Sequence, residues 1–125
     1  MNVLNTARSE LLKWKDAILG GRAESVAELY LKDAVLIPTM SPGLRIGVDA
    51  IEEYFSDFIR NKIERIVVVK DYVANHNTGG VITYSGEYEF ELKNGDKIKA
   101  RFTFNYVKFG SGYKILSHHS SLNPA

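Results

Sequence analysis

A chain of 125 residues, 45% hydrophobic and 25% charged, has the size and balance of one domain that buries a core without covalent staples. Its formal charge of +1 excludes the basic footprint of a nucleic-acid binder, and no run of about 18 apolar residues offers a membrane span. Cysteine is absent, which removes disulfides and thiolate chemistry. The opening MNVLNTARSELLKWKD carries charge early and lacks the apolar stretch of a secretory leader, so the expectation is a cytoplasmic protein with a single domain over residues 1–125.

The first element reads as a helix. Leu4, Ala7, Leu11, Trp14 and Ile18 recur at three- and four-residue spacing, and Gly20-Gly21 stops the run. A shorter helix is expected in RAESVAELYL, with Ala23, Val26, Ala27 and Tyr30 on one side. Val35, Leu36 and Ile37 make a short strand that Pro38 ends, and Pro42-Gly43 marks a turn before a second short strand. VDAIEEYFSDFIRNKI is the cleanest helix: Ile51, Tyr54, Phe55, Phe58 and Ile59 form a wide aromatic face.

The remainder of the chain reads as strands. ERIVVVKDYVANH is rich in β-branched residues, and NTGG turns the chain. VITYSGEYEFEL and KIKARFTFNYVKF alternate, with Asn94-Gly95 as the hairpin turn between them, and YKILSHHSSL closes the order. Segregated helices and a meander of long strands predict an α+β fold, a curved antiparallel sheet wrapped around N-terminal helices. Gly86 interrupts an apolar face, as at a bulge or bend. Thr83, Ser85, Arg101, Thr103 and Asn105 alternate with core residues and suit a polar homodimer interface.

Site chemistry centres on His118 and His119, two of three histidines. Neighbours on a strand point to opposite faces, so they do not share a metal ion; with His76 in a distant turn and no ligand spacing, no metal site is expected. One is expected at the pocket wall and one at the subunit contact. A single histidine has the right ionisation for a general acid or base. Asp71 is the other catalytic candidate. Its parity with Val67, Val69 and Val73 permits an inward carboxylate of raised pKa, whereas Lys70 and Tyr72 facing inward would leave it solvated. Tyr30, Tyr54, Tyr84, Tyr88 and Phe104 are placed nearer the cavity, because buried phenols need partners. Met40 in IPTMSPG is placed in a lid. Ser120 and Ser121 lack a nucleophile elbow, and Gly79-Gly80 and Gly110–Gly112 are turns rather than phosphate loops, so no cofactor is expected.

Three segments carry a resemblance over nearly the full chain: LYLKDAVLIPTMSPGLRIGVDAIEEYF, ARFTFNYVKFGSGYKI and HHSSLNP. They resemble the nuclear transport factor 2-like superfamily, with its SnoaL-like domains, and within it the association domain of calcium/calmodulin-dependent protein kinase II and its stand-alone bacterial relatives. The resemblance implies a cystatin-like cone, a dimer on the sheet face and a partly apolar pocket. It aligns a family histidine with His119, pocket arginines with Phe104 and Ser120, and thereby places His119 on the pocket side and His118 at the interface; Tyr113 and Ile115 alternate in phase with His119. The function it implies is a homo-oligomeric association domain holding a small carboxylate or hydrophobic ligand, with no assigned catalysis. The alternative is a small isomerase, cyclase or dehydratase acting on a hydrophobic carbonyl substrate, with Asp71 or His119 as general base.

Overall fold

The Asn2 side chain accepts hydrogen bonds from the backbone N–H groups of Leu4 and Asn5 and so opens α1 (Val3–Leu19). Gly20 and Gly21 close it, Gly21 at a φ of 77° that favours glycine. Ala7, Leu11, Trp14 and Ile18 are its buried stripe. In this computed structural model residues 2–39, 41–75 and 80–124 are described; the expectations for Met40, His76 and Gly79 lie outside them.

The second helix is shorter than its sequence suggests. α2 (Ala23–Ala27) stops before Tyr30, which instead begins β1 (Tyr30–Ile37). A five-residue helix is weakly held on its own, and the Ile115 N–H reaches the Leu29 carbonyl to recruit this stretch into the sheet. After β2 (Arg45–Ile46), Gly47 at φ 89° caps α3 (Val48–Ile59), which buries Ile51, Tyr54 and Phe55. β3 (Ile63–Asn75), β4 (Val81–Leu92), β5 (Lys97–Phe109) and β6 (Gly112–Leu122) complete the chain.

The strands form one sheet in the order β2-β1-β6-β5-β4-β3, curved and unclosed. The fold is α+β as expected, with one refinement: β1 lies parallel to β6, while the other neighbours are antiparallel. The helices pack on one face, which supplies Tyr84, Tyr88, Phe90, Phe102, Phe104 and Tyr106 to the core. Trp14 sits among these rings, stacked on Tyr88 at 5.9 Å and edge-on to Phe55, Phe90 and Phe104. Each fully buried ring of this kind contributes roughly 2–3 kcal/mol of apolar transfer.

Two strands carry an extra residue that turns the alternation over. In β3, Val68 pairs with Tyr88 and Lys70 with Glu87, leaving Val69 unpaired. Ile66 and Val68 therefore face the helices before the bulge and Asp71 and Val73 after it, while Val69, Lys70 and Tyr72 are exposed. In β6, Ile115 pairs with Tyr106 and Ser117 with Asn105, leaving Leu116 as the extra residue. Ile115 faces in, and beyond the bulge His118 and Ser120 do.

Gly86 lies opposite the β3 bulge. A Cβ there would stand 2.1 Å from the Lys70 carbonyl oxygen and 2.9 Å from the Phe102 ring. Gly86→Ala is expected to lower stability by about 3 kcal/mol through forced separation of β3 from β4, read by denaturant unfolding. Tyr106 gives the opposite expectation. It is 1% exposed and its hydroxyl has no partner among the described residues. Tyr106→Phe is expected to raise stability by about 1 kcal/mol, because an unpaired buried hydroxyl is removed; a lower melting temperature would contradict that.

Candidate functional site

Inside the cone the space is small. A cavity of about 10 Å³ remains, room for a single water, and its walls are rings from Trp14, Tyr54, Phe55, Phe58, Tyr88 and Phe90. Thr39, His118 and Ser120 supply its polar atoms. Tyr54 and Tyr88 border this cavity. Tyr30, Tyr84 and Phe104 do not: Tyr30 and Phe104 pack against His118, and Tyr84 lines an open cleft with Arg8 and Asp71.

The two histidines occupy the reverse of their expected places. His118 is buried at 2% exposure and His119 is exposed. The cause is Leu116: the phase set by Tyr113 and Ile115 does not survive the bulge. His119 therefore does not reach the pocket, and His118 is unavailable to another subunit.

Around His118 runs a chain of hydrogen bonds. Trp14 Nε1–H donates to the Tyr30 hydroxyl at 3.1 Å, and that oxygen lies 2.8 Å from His118 Nδ1. His118 Nε2 lies 3.3 Å from the Tyr88 hydroxyl, which lies 2.6 Å from Ser120 Oγ. The Thr39 hydroxyl donates to Ser120 Oγ and closes the chain at the mouth. An indole only donates, so Tyr30 accepts from Trp14, and we assign its own buried hydrogen to Nδ1, the acceptor within its reach. The imidazole hydrogen then sits on Nε2, directed at Tyr88. Phe104 stacks on the imidazole at 3.8 Å.

Burial, with a smaller contribution from the neighbouring His119, lowers the His118 pKa to about 3, so the ring is neutral. Burial likewise raises the phenols of Tyr30 and Tyr88 above their ordinary range. Tyr54 is pushed up to about 12, mainly by burial, with the Arg45 guanidinium 5.9 Å from its ring centre acting in the other direction.

Asp71 does turn toward the helices, but into an ion pair. Arg8 Nε and Nη2 donate to its two oxygens at 2.6 and 2.9 Å, and the Tyr84 hydroxyl donates at 2.8 Å. The Arg8 hydrogen bond is the main reason its pKa is lowered, the reverse of the raised value expected of an aspartate in an apolar enclosure. Its hydrogen-bond partners are Arg8 and Tyr84, while those of His118 are Tyr30 and Tyr88, so the two candidates belong to separate networks.

On the outer face, the Thr83 hydroxyl donates to Asn105 Oδ1 at 2.6 Å, Asn105 Nδ2 donates to Ser117 at 2.9 Å, and Ser85 and Thr103 pair at 3.1 Å. Arg101 is exposed and sits opposite Glu87 in register. Trp14, Thr39 and Ser120 are the members of the buried chain that spacing alone does not single out. One signal is present in the sequence: adjacent residues cannot both face inward, yet the family alignment places His119 and Ser120 together in the pocket.

The neutral imidazole has a pH signature. Below about pH 6.5 the unfolded chain protonates this histidine, and the folded chain does not until about pH 3. Stability is therefore lost as pH falls through that window, by up to roughly 1.4 kcal/mol per unit from this group. His118→Gln is expected to be less stable at pH 7 but to show a flatter dependence between pH 6.5 and 4.5. Parallel curves for the two proteins in urea unfolding would mean that the ring is charged in the folded state.

Comparison with known proteins agrees with this architecture. The model of the calcium/calmodulin dependent protein kinase II association domain matches residues 9–124. Among solved structures, an association domain of this kind from Xanthomonas campestris is 34% identical, with a TM-score of 0.87 over 94% of this chain and 86% of that one. An NTF2-like protein from Cytophaga hutchinsonii, 14% identical over 98% and 100% of the two chains, has a TM-score of 0.79. A dehydratase-type NTF2-like protein from Streptomyces avermitilis, 15% identical over 97% and 96%, has one of 0.78. These last two share the fold alone. No curated protein matches the sequence. With the match spanning nearly every element of the sheet and its helices, the chain belongs to the calcium/calmodulin-dependent protein kinase II association domain family.

Proposed function

We propose that this protein is a self-assembling association domain whose copies pack through the outer face of β1, β6, β5 and β4. The observation that carries the reading is the chemistry of that face. Its centre is a neutral row of hydroxyl and amide side chains, already ordered by their bonds to one another: Thr83 to Asn105 to Ser117, and Ser85 to Thr103. Beside the row Ile37, Ile46 and Leu116 stay 38%, 62% and 40% exposed. Oppositely charged residues in register, Glu87 opposite Arg101 and Glu89 opposite Lys99, lie farther along the same strands. Charge kept from the centre and placed toward the rim matches the depletion of charged residues at interface cores.

Self-complementarity fits a two-fold axis across this surface. His119 takes the interface place expected of His118, since it stands in register between Ile37 and Thr103. The cavity beside His118 and Ser120 adds support by contrast: at about 10 Å³ it is too small for an organic ligand.

Sedimentation velocity tests the reading. The wild-type protein is expected to run at twice the chain mass or more at micromolar concentration. Thr103→Arg, which sets a charge at the centre of the row, is expected to shift it to the monomer while leaving the circular dichroism spectrum unchanged. A monomeric wild-type protein under those conditions ends the proposal.

A further inference from the structure

We propose that the open cleft between α1 and β3 holds an amphipathic monoanion, a straight aliphatic chain with one negative head, and that the head sits at Lys15. The cleft shares no lining residue with the cavity beside His118 and lies off the strands proposed for assembly, so it goes beyond self-assembly.

Two local features build it. On α1, Arg8, Leu12 and Lys15 recur at four- and three-residue spacing and share one side of the helix, beside the buried stripe. On β3, Val69 is the extra residue of the bulge and has no partner in register. Leu12 and Val69 are 52% and 56% exposed, yet both border the same open cleft of about 410 Å³. Leu11 and Val68 add two more aliphatic walls. The cleft stands open, so an alkyl chain enters without any rearrangement of the protein. Apolar surface gathered around one opening, with a few polar groups at its ends, is the make-up of a binding site rather than of scattered surface leucines.

The charges select the head. Arg8 Nε and Nη2 donate to the Asp71 carboxylate, and the Tyr84 hydroxyl donates to it as well, so that cation is already paired. Lys15 lines the same cleft and, among the described residues, has no ion-pair partner. Two cations and one carboxylate leave one net positive charge. An alkylammonium ion meets repulsion there, an uncharged chain leaves Lys15 unused, and a single anion balances the cleft.

The spacing sets the tail. Arg8 and Lys15 are seven residues apart on one helix, which is about 10 Å along its axis and the length of a chain of about eight carbons. A head at Lys15 lays such a tail along Leu11, Leu12, Val68 and Val69 toward the Arg8–Asp71 pair.

Octanesulfonate, octylammonium (the same tail with the opposite charge) and ethanesulfonate (the same head with almost no tail) are titrated below their micelle thresholds into protein with ¹³C-labelled methyl groups. Octanesulfonate is expected to shift the Leu12 and Val69 methyl signals and to bind at least tenfold more tightly than either of the others. Lys15→Glu, which turns the net charge of the cleft negative, is expected to reverse the preference in favour of octylammonium. Leu12→Ser is expected to weaken octanesulfonate about tenfold with an unchanged circular dichroism spectrum, because the side chain it shortens is exposed. Equal binding of octanesulfonate and octylammonium to the wild-type protein would mean a groove indifferent to charge. Binding that Lys15→Glu leaves unaltered, with its largest shift at the Trp14 indole N–H, would mean occupancy of the cone. Silence from octanesulfonate at millimolar concentration would mean plain surface. Each of these overturns the proposal, and none depends on the assembly state, which sedimentation reads separately.

Discussion

The interior of this protein is organised by a group that can give a hydrogen and cannot take one. The Trp14 indole sits at the middle of the cone, ringed by Tyr88, Phe55, Phe90 and Phe104. Buried there, its N–H must be satisfied, and Tyr30 is what satisfies it. Satisfying the buried hydroxyl of Tyr30 in turn assigns the next bonds. Tyr30 becomes a donor to His118, the imidazole adopts one tautomer, and Tyr88 becomes an acceptor. A buried network of this kind is stable only when its members agree on direction, and a donor-only start imposes the agreement.

Much of the fold can be read from the chain. The α1 stripe of Ala7, Leu11, Trp14 and Ile18 and the alternation of β4 and β5 are plain in the residue pattern, because helices and regular strands leave a period behind. The candidate site is less legible, and the reason is local. An unpaired residue leaves no period. Val69 and Leu116 look like ordinary strand residues, yet each reverses the faces of the residues after it. Asp71 and His118 both owe their inward orientation to those two positions. Tyr30 leaves its expected helix for a different reason: helical spacing includes it, but pairing with β6 outweighs five residues of marginal helix.

Family membership and pocket chemistry part company here. Where the resemblance implies arginines, this chain has Phe104 and Ser120, and both do face inward. The ring at 104 lies flat on His118, and the hydroxyl at 120 joins the buried chain. Packing and a neutral chain of hydrogen bonds occupy those two positions. The face proposed for assembly, on the other side of the sheet, is independent of these two positions, since alternate residues of the same strands serve the two faces.

The rim of the sheet has a consequence for behaviour in concentrated solution. β3 is an outermost strand of thirteen residues, long enough to template a foreign strand. Val69 coils it, and Arg65 and Lys70 set positive side chains along it. Twisted, charged borders resist fibrous stacking. The kink that turns Asp71 inward thereby also makes this border a poor template for open-ended strand pairing.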